Sequence, residues 1–196
     1  DIDFYVEEEN PENINQYKTK NGFENYKLIE KRIKIKDEKD SVYTIKVSKH
    51  GPIMNGIISH LDDERPIAMQ WIYTKLENKI LDVAYEISHA KNLSEFKKGA
   101  SKLHAPGLNL MYGDAKNNIA WFASGKLYKY RDSLYPKTYL NGVSGEDEIL
   151  EYLDFEENPQ AVNPRNNYVY SANNQPDSIA GILYPGYYLN EDRAKR

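Results

Sequence analysis

At 196 residues, with 40% hydrophobic side chains and a net charge of −4, the chain is long enough for one substantial globular domain with its own core. That charge balance, with no concentrated basic face, lacks the main attraction for a phosphate backbone, so nucleic acid is not an expected partner. The absence of cysteine rules out disulfides, thiolate zinc sites and a cysteine nucleophile, and no stretch approaches the roughly 20 apolar residues of a membrane span. The 17 tyrosines suit strand faces, a cleft or core edges equally, and assign no function alone.

The opening DIDFYVEE carries no signal peptide and reads as a chain met in mid-strand, so a fragment of a longer polypeptide is expected. Ile2, Phe4 and Val6 alternate with Asp3 and Tyr5, the pattern of a half-buried strand, before an acidic run at Glu7 to Glu9 and a loop through Pro11. Asn21-Gly22 marks a hairpin. The alternating segments Arg32–Lys36 and Tyr43–Val47, joined by a turn at Asp37 to Asp40, extend it into a meander with the lysines on the solvated face. His50-Gly51-Pro52 ends the meander, and Ile67–Tyr73 reads as a strand covered on both faces.

Then the period changes. Ile80, Leu81, Ala84, Ile87 and Ala90 lie at helical spacing, and Leu93, Phe96, Ala100 and Leu103 repeat it, which predicts a helical pair. Between them Asn92-Leu-Ser-Glu95 has the form of a capping box; the same residues spell a glycosylation sequon, and helix start is the more economical reading. Leu108–Tyr112 and Ile119–Ala123 flank a turn, with Asn117 and Asn118 at its positive-φ positions. Asp114 in that turn lacks the carboxylate spacing of a calcium loop. Beyond Arg131 the chain is loop-rich and acidic as far as the Asn-Pro turns at Asn158 and Asn163.

Familiar catalytic motifs are missing: there is no GxSxG, GxGxxG, Walker loop or HExxH. Glu86 and His89 have the spacing used in di-iron bundles, but no second copy exists. The histidines at 50, 60, 89 and 104 are scattered and read as structural; a pair of carboxylates acting as acid and base stays open, because sequence spacing does not give their separation in space. The stretch Ala161–Pro176, AVNPRNNYVYSANNQP, holds a short β-rich run, Tyr168–Tyr170, that stops at two asparagines. An asparagine presented at a strand end offers an aimed neutral hydrogen bond to a substrate oxygen, although such a turn is structural more often than catalytic.

The order of segments is more specific than any of them. VSKHGPIMN, AMQWIYT, ISHAKNLSEFKKGA, the YGDAKNNIAWFASG hairpin and NPRNNYVYSANNQP, in that succession from DIDFYVE to GYYLNEDRAKR, resemble the β chain of the penicillin acylase (penicillin amidase) family of N-terminal-nucleophile hydrolases. The resemblance implies an α+β fold, largely antiparallel sheet with a helical pair, as one part of an αββα sandwich. It also implies a periplasmic or otherwise extracytoplasmic amide hydrolase acting on penicillins, acyl-homoserine lactones or related N-acyl compounds. The nucleophilic serine of that family lies upstream of the segment matched by DIDFYVE, so the expected partners are an α chain, the rest of the β chain and a small-molecule amide. By the same match Asn173 is the side-chain oxyanion donor and Arg193 orients the site, whereas by its position alone Arg193 is an exposed terminal charge. A structural calcium ion would draw on the Asp3 carboxylate and the Ile2 carbonyl; a further carboxylate that some members supply has no counterpart in DSIAGILYPGYYLN. The chain alone is expected to be inactive. Two other classes remain: a non-catalytic binding module with a Tyr-rich cleft, and a carboxylate-based hydrolase.

Overall fold

The computed structural model describes residues 2–58, 64–132, 134 and 138–173. Along the chain run β1 (Ile2–Val6), β2 (Glu9–Asn10), β3 (Asn13–Thr19), β4 (Gly22–Asn25), β5 (Lys27–Ile33), β6 (Ser41–Val47) and β7 (Ile67–Trp71). Three helices follow, α1 (Ile72–Lys75), α2 (Ile80–His89) and α3 (Leu93–Ala100). The strands β8 (Leu108–Gly113), β9 (Ile119–Ser124), β10 (Tyr128–Lys129), β11 (Leu140–Asn141), β12 (Glu151–Tyr152) and β13 (Gln160–Val162) complete an α+β fold. Every strand pairing among the described residues is antiparallel except β1 with β11.

The chain packs as two compact units, one built from Ile2–Trp71 and Arg131–Glu148, the other from Ile72–Tyr130 and from Ile149 onward. In the first, β1 is the central strand of a sheet ordered β11-β1-β7. Gly22, at φ 118, closes the β3–β4 hairpin that the Asn-Gly pair predicts, and β5 pairs with β6 over seven residues. In the second unit α3 sits over the β13-β9-β8 sheet, where Phe96 and Phe155 flank the fully buried ring of Phe122.

Several expectations shift. β1 buries Asp3 and Tyr5, and Glu7 just beyond them, while Ile2 on the other face is exposed, because the polar side has partners waiting for it. The strand at 67 stops at Trp71, and Ile72 instead enters α1 as part of a core with Ala105 and Tyr128. Val83 is the buried contact of α2, so the helix is turned from the expected face and Leu81 and Ala84 point outward. Tyr168–Tyr170 is not a strand but exposed or half-exposed coil, and of the pair Asn117 and Asn118 only Asn117 has positive φ.

Candidate functional site

The expected site residues lie in different settings. Asn173 is exposed, at φ 60, in a bend rather than at a strand end, and its backbone N–H donates to Ser171 Oγ at 3.4 Å. Arg193 lies outside the described residues, as does Asn174. Asp3 is 8% exposed on β1 opposite Gln70 of β7, and neighbouring Ile2 is 43% exposed. Among the described residues no group of three or more acidic or histidine side chains could hold a metal ion. One carboxylate and one carbonyl fall well short of the roughly six to eight oxygens that calcium takes. The described residues by themselves therefore do not fit the ion that the resemblance implies.

The segment leading to Asn173 is bolted down at its start. Asp114 Oδ1 accepts the backbone N–H groups of Lys116 and Asn118, while Oδ2 accepts from the Tyr112 hydroxyl and the Asn118 carboxamide. Four donors on one carboxylate, those of Asn118 foremost, hold its pKa down at about 2. Asn118 Oδ1 in turn accepts from Asn163, whose own Oδ1 takes the Ile119 N–H at 2.9 Å. The YGDAKNN turn thus carries the Asn-Pro turn at 163 on a continuous polar relay.

A buried polar cluster gathers round His50, which reads as structural in the sequence. Ser48 Oγ accepts the His50 N–H, and Gly51 at φ 151 turns the chain sharply, which aims the imidazole inward. The ring is 1% exposed and stacks on Tyr5, centroids 3.9 Å apart and planes within 3°. Its Nδ1 lies 2.8 Å from Glu7 Oε1 and its Nε2 3.0 Å from Glu148 Oε1. Burial alone pulls His50 down, but the hydrogen bonds to the two carboxylates outweigh it and its pKa is raised. Glu148 is pulled down to about 2, chiefly by His50 and then by Lys49. The Tyr5 hydroxyl donates to the Asp147 carbonyl, and the Asp147 carboxylate binds Arg131 and the Asn141 N–H. The one signal in the sequence was the HGP turn, which needs a reason to point a histidine inward.

Glu86 and His89 form no site: Glu86 pairs with Lys102, and the His89 ring is stacked on Tyr85. His104 meets the Glu77 carbonyl at 3.0 Å, and His60 lies outside the described residues.

A sequence profile described as penicillin amidase matches residues 1–196. Over 153 residues the chain is 26% identical to the acyl-homoserine lactone acylase QuiP of Pseudomonas fluorescens, covering 76% of this chain but 18% of that protein's length. In three dimensions it is similar to a thermostable penicillin G acylase from Alcaligenes faecalis, with a TM-score of 0.77 and 23% identity over 95% of this chain and 33% of that one. A profile match from the first residue to the last, with a fold shared by a solved acylase, means that the chain belongs to the penicillin amidase family.

Proposed function

We propose that this chain is the supporting part of an acylase-type amide hydrolase, in which a serine from outside the chain attacks an N-acyl carbonyl and Asn173 donates to the developing oxyanion. The observation that carries this reading is the family match over the whole chain. The identity to an acyl-homoserine lactone acylase favours an N-acyl substrate of that kind. An asparagine N–H aimed at the tetrahedral oxygen contributes about 2.7–4 kcal/mol to the transition state and far less to the bound substrate. Arg193 orients the site, and the whole enzyme works outside the cytoplasm. Any structural calcium takes Asp3 and the Ile2 carbonyl as two of its ligands, the rest coming from beyond the described residues, and no step of the reaction is assigned to it.

The test uses the whole, processed parent protein with acyl-homoserine lactone and phenylacetyl amide substrates. Asn173→Ala lowers kcat by roughly 10²–10³ with a smaller change in KM. Near-normal kcat in processed Asn173→Ala enzyme overturns the assignment of the donor. The 196-residue chain by itself turns over neither substrate; activity of the pure chain overturns the supporting role.

A further inference from the structure

Each ring nitrogen of His50 faces a carboxylate oxygen, Glu7 on one side and Glu148 on the other. A neutral imidazole carries one N–H, so in that state one of the two contacts would set a lone pair against a carboxylate; only the imidazolium donates to both. We propose that Glu7, His50 and Glu148 form a proton-operated latch that is closed while His50 is doubly protonated and opens at Glu148 when the proton leaves. This inference is independent of the proposed catalytic role.

The surroundings decide which partner moves. Glu7 is fully enclosed, and its second oxygen is packed so tightly against Gly142 that a Cβ there would lie 2.4 Å away. The ring is held between Tyr5 and its own turn, where the Ser48 hydroxyl accepts the His50 N–H and the Tyr17 hydroxyl of β3 accepts the Lys49 N–H. The Glu148 side chain is 35% exposed and already shared with Lys49 Nζ at 2.5 Å, so it can turn to water and to that ammonium without being stranded.

The other charged and titratable groups around the latch leave this order intact. Glu24 of β4 accepts from the Tyr17 hydroxyl, and Arg131 holds Asp147 at 3.0 Å and Glu146 at 3.5 Å. Because Asp147 also takes the Asn141 N–H and its carbonyl takes the Tyr5 hydroxyl, residues 141–147 keep their anchors when Glu148 lets go. Opening is therefore local. It falls on the residue at which the Arg131–Glu148 excursion ends and the chain passes to its second unit.

The experiment reads the ring and the segment separately in the unmodified protein. Histidine-labelled NMR follows His50 from pH 5 to 10, and hydrogen exchange, normalised for the intrinsic pH dependence, follows amides 142–150. The expected result is a His50 midpoint above the ordinary value of about 6.5 and, through the same midpoint, a loss of protection of about tenfold or more over residues 148–150, where the Leu150 N–H is held by the Lys129 carbonyl at 2.9 Å, the scale of one charge-assisted hydrogen bond. Glu148→Gln, whose carboxamide partners either state of the ring, abolishes the pH dependence of that protection. A His50 midpoint at or below the ordinary value, unchanged protection across it, or the wild-type pH dependence in Glu148→Gln overturns the latch.

Discussion

Gly51 shows how much a single backbone position can be asked to do. Its φ of 151 belongs to a region that side chains rarely adopt, and a Cβ there would stand 2.0 Å from the Met69 carbonyl oxygen of β7. Neither problem has a cheap relief, because that oxygen is backbone in a paired strand. Gly22 also has positive φ, at 118, but a Cβ there meets nothing within 4 Å. The pair separates strain from collision. Gly22→Ala is expected to lose about 1–2 kcal/mol from the conformation alone, and Gly51→Ala on the order of 3 kcal/mol or more, because the turn must also move away from β7. Urea denaturation midpoints check this; equal losses would show that the Met69 contact does not constrain the turn.

At the scale of elements, the start of α3 is the clearest case of local chemistry setting structure. Asn92 Oδ1 accepts the Glu95 N–H at 2.9 Å, and Glu95 reaches back to the Lys91 N–H, one residue before the position a standard capping box uses. Asn92→Ala is expected to cost about 1 kcal/mol, and Asn92→Ser much less, as seen in thermal or chemical denaturation; no difference between the two would mean that the cap contributes nothing. This element was legible in the sequence because its partners are three or four residues apart, as were the Asn21-Gly22 hairpin and the Gly113–Asn118 turn. β1 was legible as a strand but not in its buried face. What buries Tyr5 and Glu7 is a histidine more than forty residues on and a carbonyl at Asp147, and no pattern within the strand announces either. The end of β7 was missed for a similar reason: Ile72 and Tyr73 favour strand by type, but Ile72 belongs to a core with Ala105 and Tyr128 that only the tertiary fold assembles. Asn173, Arg193, Asp3 and Ile2 come from the resemblance alone and from no local pattern, while the His50 cluster joins side chains at 7, 50 and 148 and has no signature in order or spacing.

For the molecule as a whole, the shifted groups make stability a function of pH with a defined shape. His50 has a raised pKa in the fold, so its contribution is complete below about 6.5, its unfolded value, and is lost as pH rises through the folded one. Glu148 is shifted the other way, to about 2, so its contribution is present above its ordinary value of 4.5 and is lost as pH falls towards 2. Asp114, held at about 2 by its turn, reinforces the acid limb. Tyr17 is raised to about 12, burial being the main cause, and adds a further loss above pH 10, where the unfolded chain ionises first. The expected curve therefore has its maximum between about pH 4.5 and 6.5, slightly to the acid side of neutrality. It falls once as the imidazolium is lost and again above pH 10. Urea midpoints from pH 3 to 11 trace it, and His50→Gln should remove the limb just above pH 6.5 while leaving the one above pH 10. If stability instead rises or stays level between pH 6.5 and 9, His50 is not folded as an imidazolium between two carboxylates, and the charge assigned to the centre of this unit is wrong.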